Sequence, residues 1–170
     1  MANTYQLISS NVLGSSAASV TFSSIPSTYT DLVVKFSARI DRAVTDSTMQ
    51  ITTNVSGSVY SGTRLRGNGS AVSTAPQTAS SWEQNTINAG TSLANTFTNG
   101  ELYFCNYALT STNKPVSYFA TTENNATLAY IDSIAQLLSS TTAITSVTFG
   151  AYGFNFVAGS SFYLYGIKNS

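Results

Sequence analysis

The chain has 170 residues, 42% of them hydrophobic, which is enough to bury one core and makes a single unit over residues 1–170 the expectation. Its 7 basic and 7 acidic residues cancel and supply only 8% of the sequence, against about 25% in an ordinary soluble domain, so electrostatic attraction to nucleic acid or an anionic membrane is disfavoured. Histidine is absent and Cys105 is the sole cysteine, which excludes His-based acid–base and nucleophilic chemistry, an intramolecular disulfide and a thiolate zinc site.

Met1-Ala2-Asn3-Thr4-Tyr5 lacks a basic and then apolar leader, and no window approaches the ~18 apolar residues of a membrane span, so cytoplasmic synthesis is expected. The dominant signal after that has period two. It is clearest in Asp31 to Asp41, where Leu32, Val34, Phe36, Ala38 and Ile40 alternate with Val33, Lys35, Ser37, Arg39 and Asp41. Tyr5 to Ile8, Ala18 to Phe22, Met49 to Val55, Leu102 to Tyr107, Val116 to Thr121, Ala126 to Ile131, Ile144 to Phe149 and Phe162 to Ile167 read the same way. Turn signals separate them, among them Ile25-Pro26-Ser27, Gly67-Asn68-Gly69, Asn99-Gly100 and Asn113-Lys114-Pro115. Leu128, Ile131, Ala135 and Leu138 also fit helical spacing, but the alternation after Asn124-Asn125 favours a strand.

These elements predict an all-β antiparallel sandwich of about 8–10 strands. Residues 57–90 are the loosest part, rich in Ser, Gly, Ala and Thr, and are expected as an excursion with short edge strands or a protruding loop. Ser19-Val20-Thr21-Phe22 returns as Ser146-Val147-Thr148-Phe149, a match that composition alone explains.

The seven carboxylates form no recognisable glycosidase pair, and Asp41 to Asp46 lacks the Asp-x-Asp spacing of a calcium loop. No catalytic residue, metal ligand or cofactor site is therefore expected. Surface contacts offer more. Six of the 14 charges lie between Asp31 and Asp46, placing Arg39 and Arg42 on a candidate docking patch. Arg64 and Arg66 occupy a second basic spot beside a Gly-rich turn, and Trp82 is a candidate contact or sugar-stacking residue. Aromatic residues occur on both faces of Leu102 to Tyr107 and Phe162 to Ile167, with Tyr103, Cys105 and Tyr107 together on one side. A strand that is apolar on both sides suggests that its second face meets another subunit. Cys105 itself reads as a small buried hydrophobe.

Three stretches carry a resemblance: Met1-Ala2-Asn3-Thr4-Tyr5-Gln6-Leu7-Ile8, the run from Ser19 through Val20-Thr21-Phe22 and Ile25-Pro26 to Leu32, and Phe162-Tyr163-Leu164-Tyr165-Gly166-Ile167-Lys168. They resemble small structural proteins of tailed bacteriophages, especially marine and cyanobacterial ones, and modules of phage tail fibres and appendages. The resemblance implies a jelly-roll-like virion component with no catalytic residues. Its expected role is a capsid decoration, or cement, protein on the outside of the shell. Self-association, most simply as a homotrimer, and docking to the major capsid protein are the expected contacts, through Arg39, Arg42, Arg64, Arg66 and Trp82. The alternative is a tail-fibre or head-fibre module that binds a host-surface glycan through residues 57–90.

Overall fold

The computed structural model describes residues 4–125 and 129–168, and every regular element among them is a β-strand. In chain order they are β1 (Tyr5–Val12), β2 (Ser19–Phe22), β3 (Asp31–Ala38), β4 (Asp46–Thr53), β5 (Tyr60–Gly67), β6 (Val72–Ala79), β7 (Trp82–Asn88), β8 (Thr98–Phe104), β9 (Lys114–Thr122), β10 (Tyr130–Leu138), β11 (Val147–Gly150) and β12 (Ser161–Ile167). Every segment expected from alternation overlaps a strand, although β8 ends at Phe104, short of Tyr107, and β11 begins at Val147 rather than Ile144; Ala126 to Leu128 lie outside the described residues. The count of twelve exceeds the expected eight to ten because residues 57–90 contain three full strands, β5 to β7.

Two antiparallel sheets form, an eight-stranded one in the order β1-β12-β3-β8-β9-β10-β5-β6 and a four-stranded one in the order β2-β11-β4-β7. The first four strands pair in reverse with later ones: β1 with β12, β2 with β11, β3 with β8 and β4 with β7. The chain is thus one long antiparallel ribbon doubled back and wound over two sheets, which is a jelly roll. Two hairpins are inserted into it. The β5–β6 hairpin leaves after β4, the β9–β10 pair leaves after β8, and both extend the larger sheet beyond β8.

Alternation decides what fills the space between the sheets. Leu32, Val34, Phe36 and Ala38 of β3 point inward, as do Phe162 and Leu164 of β12 and Val147 and Phe149 of β11. Burying each large apolar side chain contributes roughly 1.5–3 kcal/mol. Phe162 is the hub, with its ring centroid 5.1 Å from Phe149, 5.2 Å from Phe156 and 6.1 Å from Phe36. Gly100 of β8 lies directly under the Phe36 ring, where an added Cβ would come within 2.3 Å of that ring. The alternation stops at Phe104, because Asn106 adopts a left-handed backbone with φ 51°. Tyr107 therefore leaves the outer face expected for it and is buried, its hydroxyl donating to the Pro26 carbonyl.

Candidate docking surface

Eight strands cannot be covered by four, so the larger sheet overhangs its partner. At one end β1 is exposed along almost its whole length, with Tyr5 at 51% and Leu7 at 52% of their possible exposure. At the other, β6 forms an equally open margin.

The outer face of this sheet follows from register. Leu7, Tyr165, Val33 and Tyr103 share one cross-strand row, and the Tyr5 ring meets Tyr165 edge-on at 6.4 Å. Further along, Phe119, Ile131, Leu65 and Val72 line a shallow apolar depression of about 210 Å³. Lys35 and Glu101 stand opposite each other between the two apolar areas, with Nζ 3.0 Å from Oε2. This ion pair neutralises itself, so the face can be covered without leaving a charge unpaired. Asp31 bounds the same face, accepting from the Tyr103 hydroxyl at 2.6 Å and the Asn106 amide at 2.7 Å. That bond and burial hold the Tyr103 phenol above its ordinary pKa.

The two margins differ in chemistry. Along β6, Asn68 donates to Ala71 across the turn, and the alternation that follows leaves the Pro76 nitrogen facing away from β5. A proline there removes one outward donor, as edge strands commonly do to discourage pairing. Along β1, the bonds Lys168 N to Thr4 O and Leu13 N to Ser160 O leave the amides of Ser10 and Val12 pointing outward. No charged residue and no proline interrupts Tyr5–Val12, although a bulge lies between Leu7 and Ser9.

The residues expected to make contacts are placed differently. Trp82 is only 1% exposed, packed edge-on against Tyr60 at 4.9 Å and donating its indole N–H to the Ser61 carbonyl at 3.1 Å. It is a core residue and offers no stacking surface. Arg39 is likewise buried, because its guanidinium ties down the loop after β7 by donating to the carbonyls of Leu93, Thr96, Gly90 and Ser92. Burial pushes its pKa down. Arg66 is a bidentate partner of fully buried Asp132, at 2.8 and 2.9 Å, with its guanidinium 4.3 Å from the Tyr130 ring. Arg42 is half-buried and lies over Phe154 at 5.1 Å. Arg64, also half-buried, faces a groove beside β6. Cys105 is half-buried rather than buried, and burial raises its thiol pKa. The exposed residues of the outer face went unnamed because their exposure depends on one sheet being wider than the other.

Among the described residues, no three His, Cys, Asp or Glu side chains gather as a metal site would require. Asp31, Asp41, Asp132 and Glu101 are each engaged by the partners named above or, for Asp41, by Asn155 at 2.9 Å. A scan against protein-family models finds no match, and neither does a comparison with curated proteins.

Proposed function

We propose that this protein is a structural component of a bacteriophage virion, a decoration protein that docks on the outside of the capsid and stabilises it. The observation that carries the reading is the outer face of the eight-stranded sheet: Tyr5, Leu7, Leu65, Val72, Phe119 and Ile131 are exposed around a single self-neutralised ion pair. Isolated exposed apolar residues are ordinary, but contiguous apolar area on a monomer marks a surface made to be covered. The capsid shell is the assigned partner for this face, and the margin at β1 serves association between copies. Each Tyr5–Val12 side chain is apolar or can both donate and accept, so the strand meets its own copy without like-charge repulsion. Binding to the assembled shell alone stabilises it by mass action.

Particles carrying the protein should resist heat better than particles stripped of it, and adding it back should restore the difference. A Phe119→Asp/Ile131→Asp variant should keep its far-ultraviolet dichroism yet fail to reattach. Unchanged shells, or label confined to the tail, would refute the decoration role. For the margin, Ser10→Pro removes an outward amide while sparing the β1–β12 ladder; it should lower the mass seen by light scattering.

A further inference from the structure

We propose that Asn68 is a self-modifying site: the Gly69 backbone nitrogen attacks its side-chain amide and converts it to isoaspartate or aspartate, while the same dipeptide at Asn99-Gly100 stays intact in the folded protein. Asn-Gly occurs at these two places, and the fold gives them opposite settings. Asn68 and Gly69 lie in the exposed turn between β5 and β6. Asn99 and Gly100, a turn signal in the sequence, lie instead inside β8.

The step needs only the chain and water. A bond forms between the Gly69 nitrogen and Asn68 Cγ, the Cγ–Nδ2 bond breaks, and Nδ2 leaves as ammonia carrying the Gly69 amide proton. Water then opens the five-membered imide. Cleavage at the main-chain carbonyl leaves isoaspartate, and cleavage at Cγ leaves aspartate.

The turn is built to favour the attack. Asn68 Oδ1 accepts from the Ser70 amide at 3.0 Å and from the Ala71 amide at 2.8 Å. Both partners are N–H donors, so the atom they hold is the oxygen, and Nδ2 remains the leaving group. Charge develops on that oxygen as the Gly69 nitrogen adds, and two preorganised amides there act as an oxyanion hole. Gly69 has φ 82° and open space where a Cβ would stand, so nothing crowds the approach of water. Its amide makes no hydrogen bond among the described residues.

At Asn99 these conditions are reversed. Gly100 is buried under the Phe36 ring and paired with Phe36 of β3 on one side and Ala120 of β9 on the other, so the ladder fixes its backbone. Reaction there requires the strand to open first.

Conversion at Asn68 gives a chain of 7 basic and 7 acidic residues one acid in excess. The new carboxylate stands beside Gly67, and Gly67 and Val72, which flank the turn, line the apolar depression of the outer face. The inference stands on the turn alone and does not depend on the capsid-docking reading.

The test ages the purified full chain at neutral pH, folded and in guanidinium chloride. Cleavage after Glu83 then separates the two sites, and mass spectrometry with isoaspartyl methyltransferase labelling reads each one. Unfolded, the two should convert at similar rates, because glycine follows both asparagines. Folded, Asn68 should convert at least as fast as in the unfolded chain, and Asn99 should be slowed roughly tenfold or more by the cost of opening its ladder. Asn68→Ser, which keeps an acceptor for the turn, should abolish conversion in the folded chain, with dichroism as the check on its fold. Equal rates at Asn68 and Asn99 in the folded protein would overturn the proposal. So would slower conversion of Asn68 folded than unfolded, by showing that the turn holds the amide away from the Gly69 nitrogen. None of these outcomes bears on attachment to the shell, which is read on particles.

Discussion

The two halves of this sandwich differ in how much polar chemistry their interiors hold. Where the jelly-roll strands face each other, the interior is aromatic and aliphatic: Phe36, Phe149, Phe156 and Phe162 touch in one cluster. Beneath the inserted hairpins apolar residues such as Tyr60, Tyr118, Ile134 and Leu138 share the interior with many polar ones. Asp132, Gln84, Gln136, Thr86, Asn88 and Thr122 are all buried there. Some of these groups are well served: the Thr98 hydroxyl receives the Asn88 amide at 2.8 Å and donates to the Thr86 carbonyl at 3.1 Å. Others are not, and both amide atoms of Gln84 and of Gln136 are buried without partners. Packed apolar surface supplies net stability, while a polar interior at best breaks even and fixes geometry. The first half therefore holds the fold together, and the second half holds shape for the surface above it.

The largest test of that division is Phe162→Ala. It removes the ring shared by three aromatic neighbours and should cost about 3–5 kcal/mol in urea unfolding. A loss below about 1 kcal/mol would mean that the aromatic cluster is not the stabilising centre.

Next comes Asp132→Ala, which takes a carboxylate away from the mostly buried Arg66 guanidinium and should cost about 3 kcal/mol. The double variant Asp132→Leu/Arg66→Met should recover most of that loss, because apolar side chains of similar size replace a buried pair at little cost. If the double variant is as unstable as the single one, the pair contributes net stability and the contrast between the halves fails there.

The third test has the opposite sign. Gln84 is fully buried and neither amide atom is paired, so Gln84→Met should raise stability by about 1 kcal/mol or more. Destabilisation instead would show that water enters this half and serves the amide.

The same contrast explains which parts of the fold were legible beforehand. Phe162-Tyr163-Leu164-Tyr165 announces a strand because one face is dry, and every jelly-roll strand except β7 was read from such alternation. The strand β5 was not, since its inward residues include Gly62, Arg64 and Arg66 and its outward ones Thr63 and Leu65, leaving no apolar period. Trp82 was misplaced because its neighbours in sequence are polar, whereas Tyr60 and Phe104, which bury it, come from distant positions. Arg39 was misplaced for a related reason, as the carbonyls around it belong to residues 90–96. The repeated Ser-Val-Thr-Phe has a structural use: β2 and β11 pair antiparallel, with Thr21 opposite Thr148 and their hydroxyls 2.9 Å apart. Neighbouring strands with one dry face and one wet face arrive at the same four residues. Sheet width, which decides that Phe119 and Ile131 stay exposed, follows only once both hairpins are known to join the larger sheet.

The smallest effect comes from Asp46, half-buried at the start of β4 opposite Asn88, on the rim of the polar half. Burial raises its carboxyl pKa above the usual 3.8, and Arg66 and Arg42 offset that only in part. The folded protein therefore holds this proton more tightly than the unfolded chain, so stability falls as pH rises from near 3.8 through the raised value, then levels off. Asn carries no charge at any pH. Asp46→Asn should accordingly melt higher than wild type at pH 7, and the gap should close as pH falls below about 3.8. Melting curves between pH 3 and pH 7 measure this directly. A gap that stays constant, or one that favours wild type at neutral pH, would mean that Arg66 and Arg42 outweigh burial, and that this rim is electrostatically stabilised.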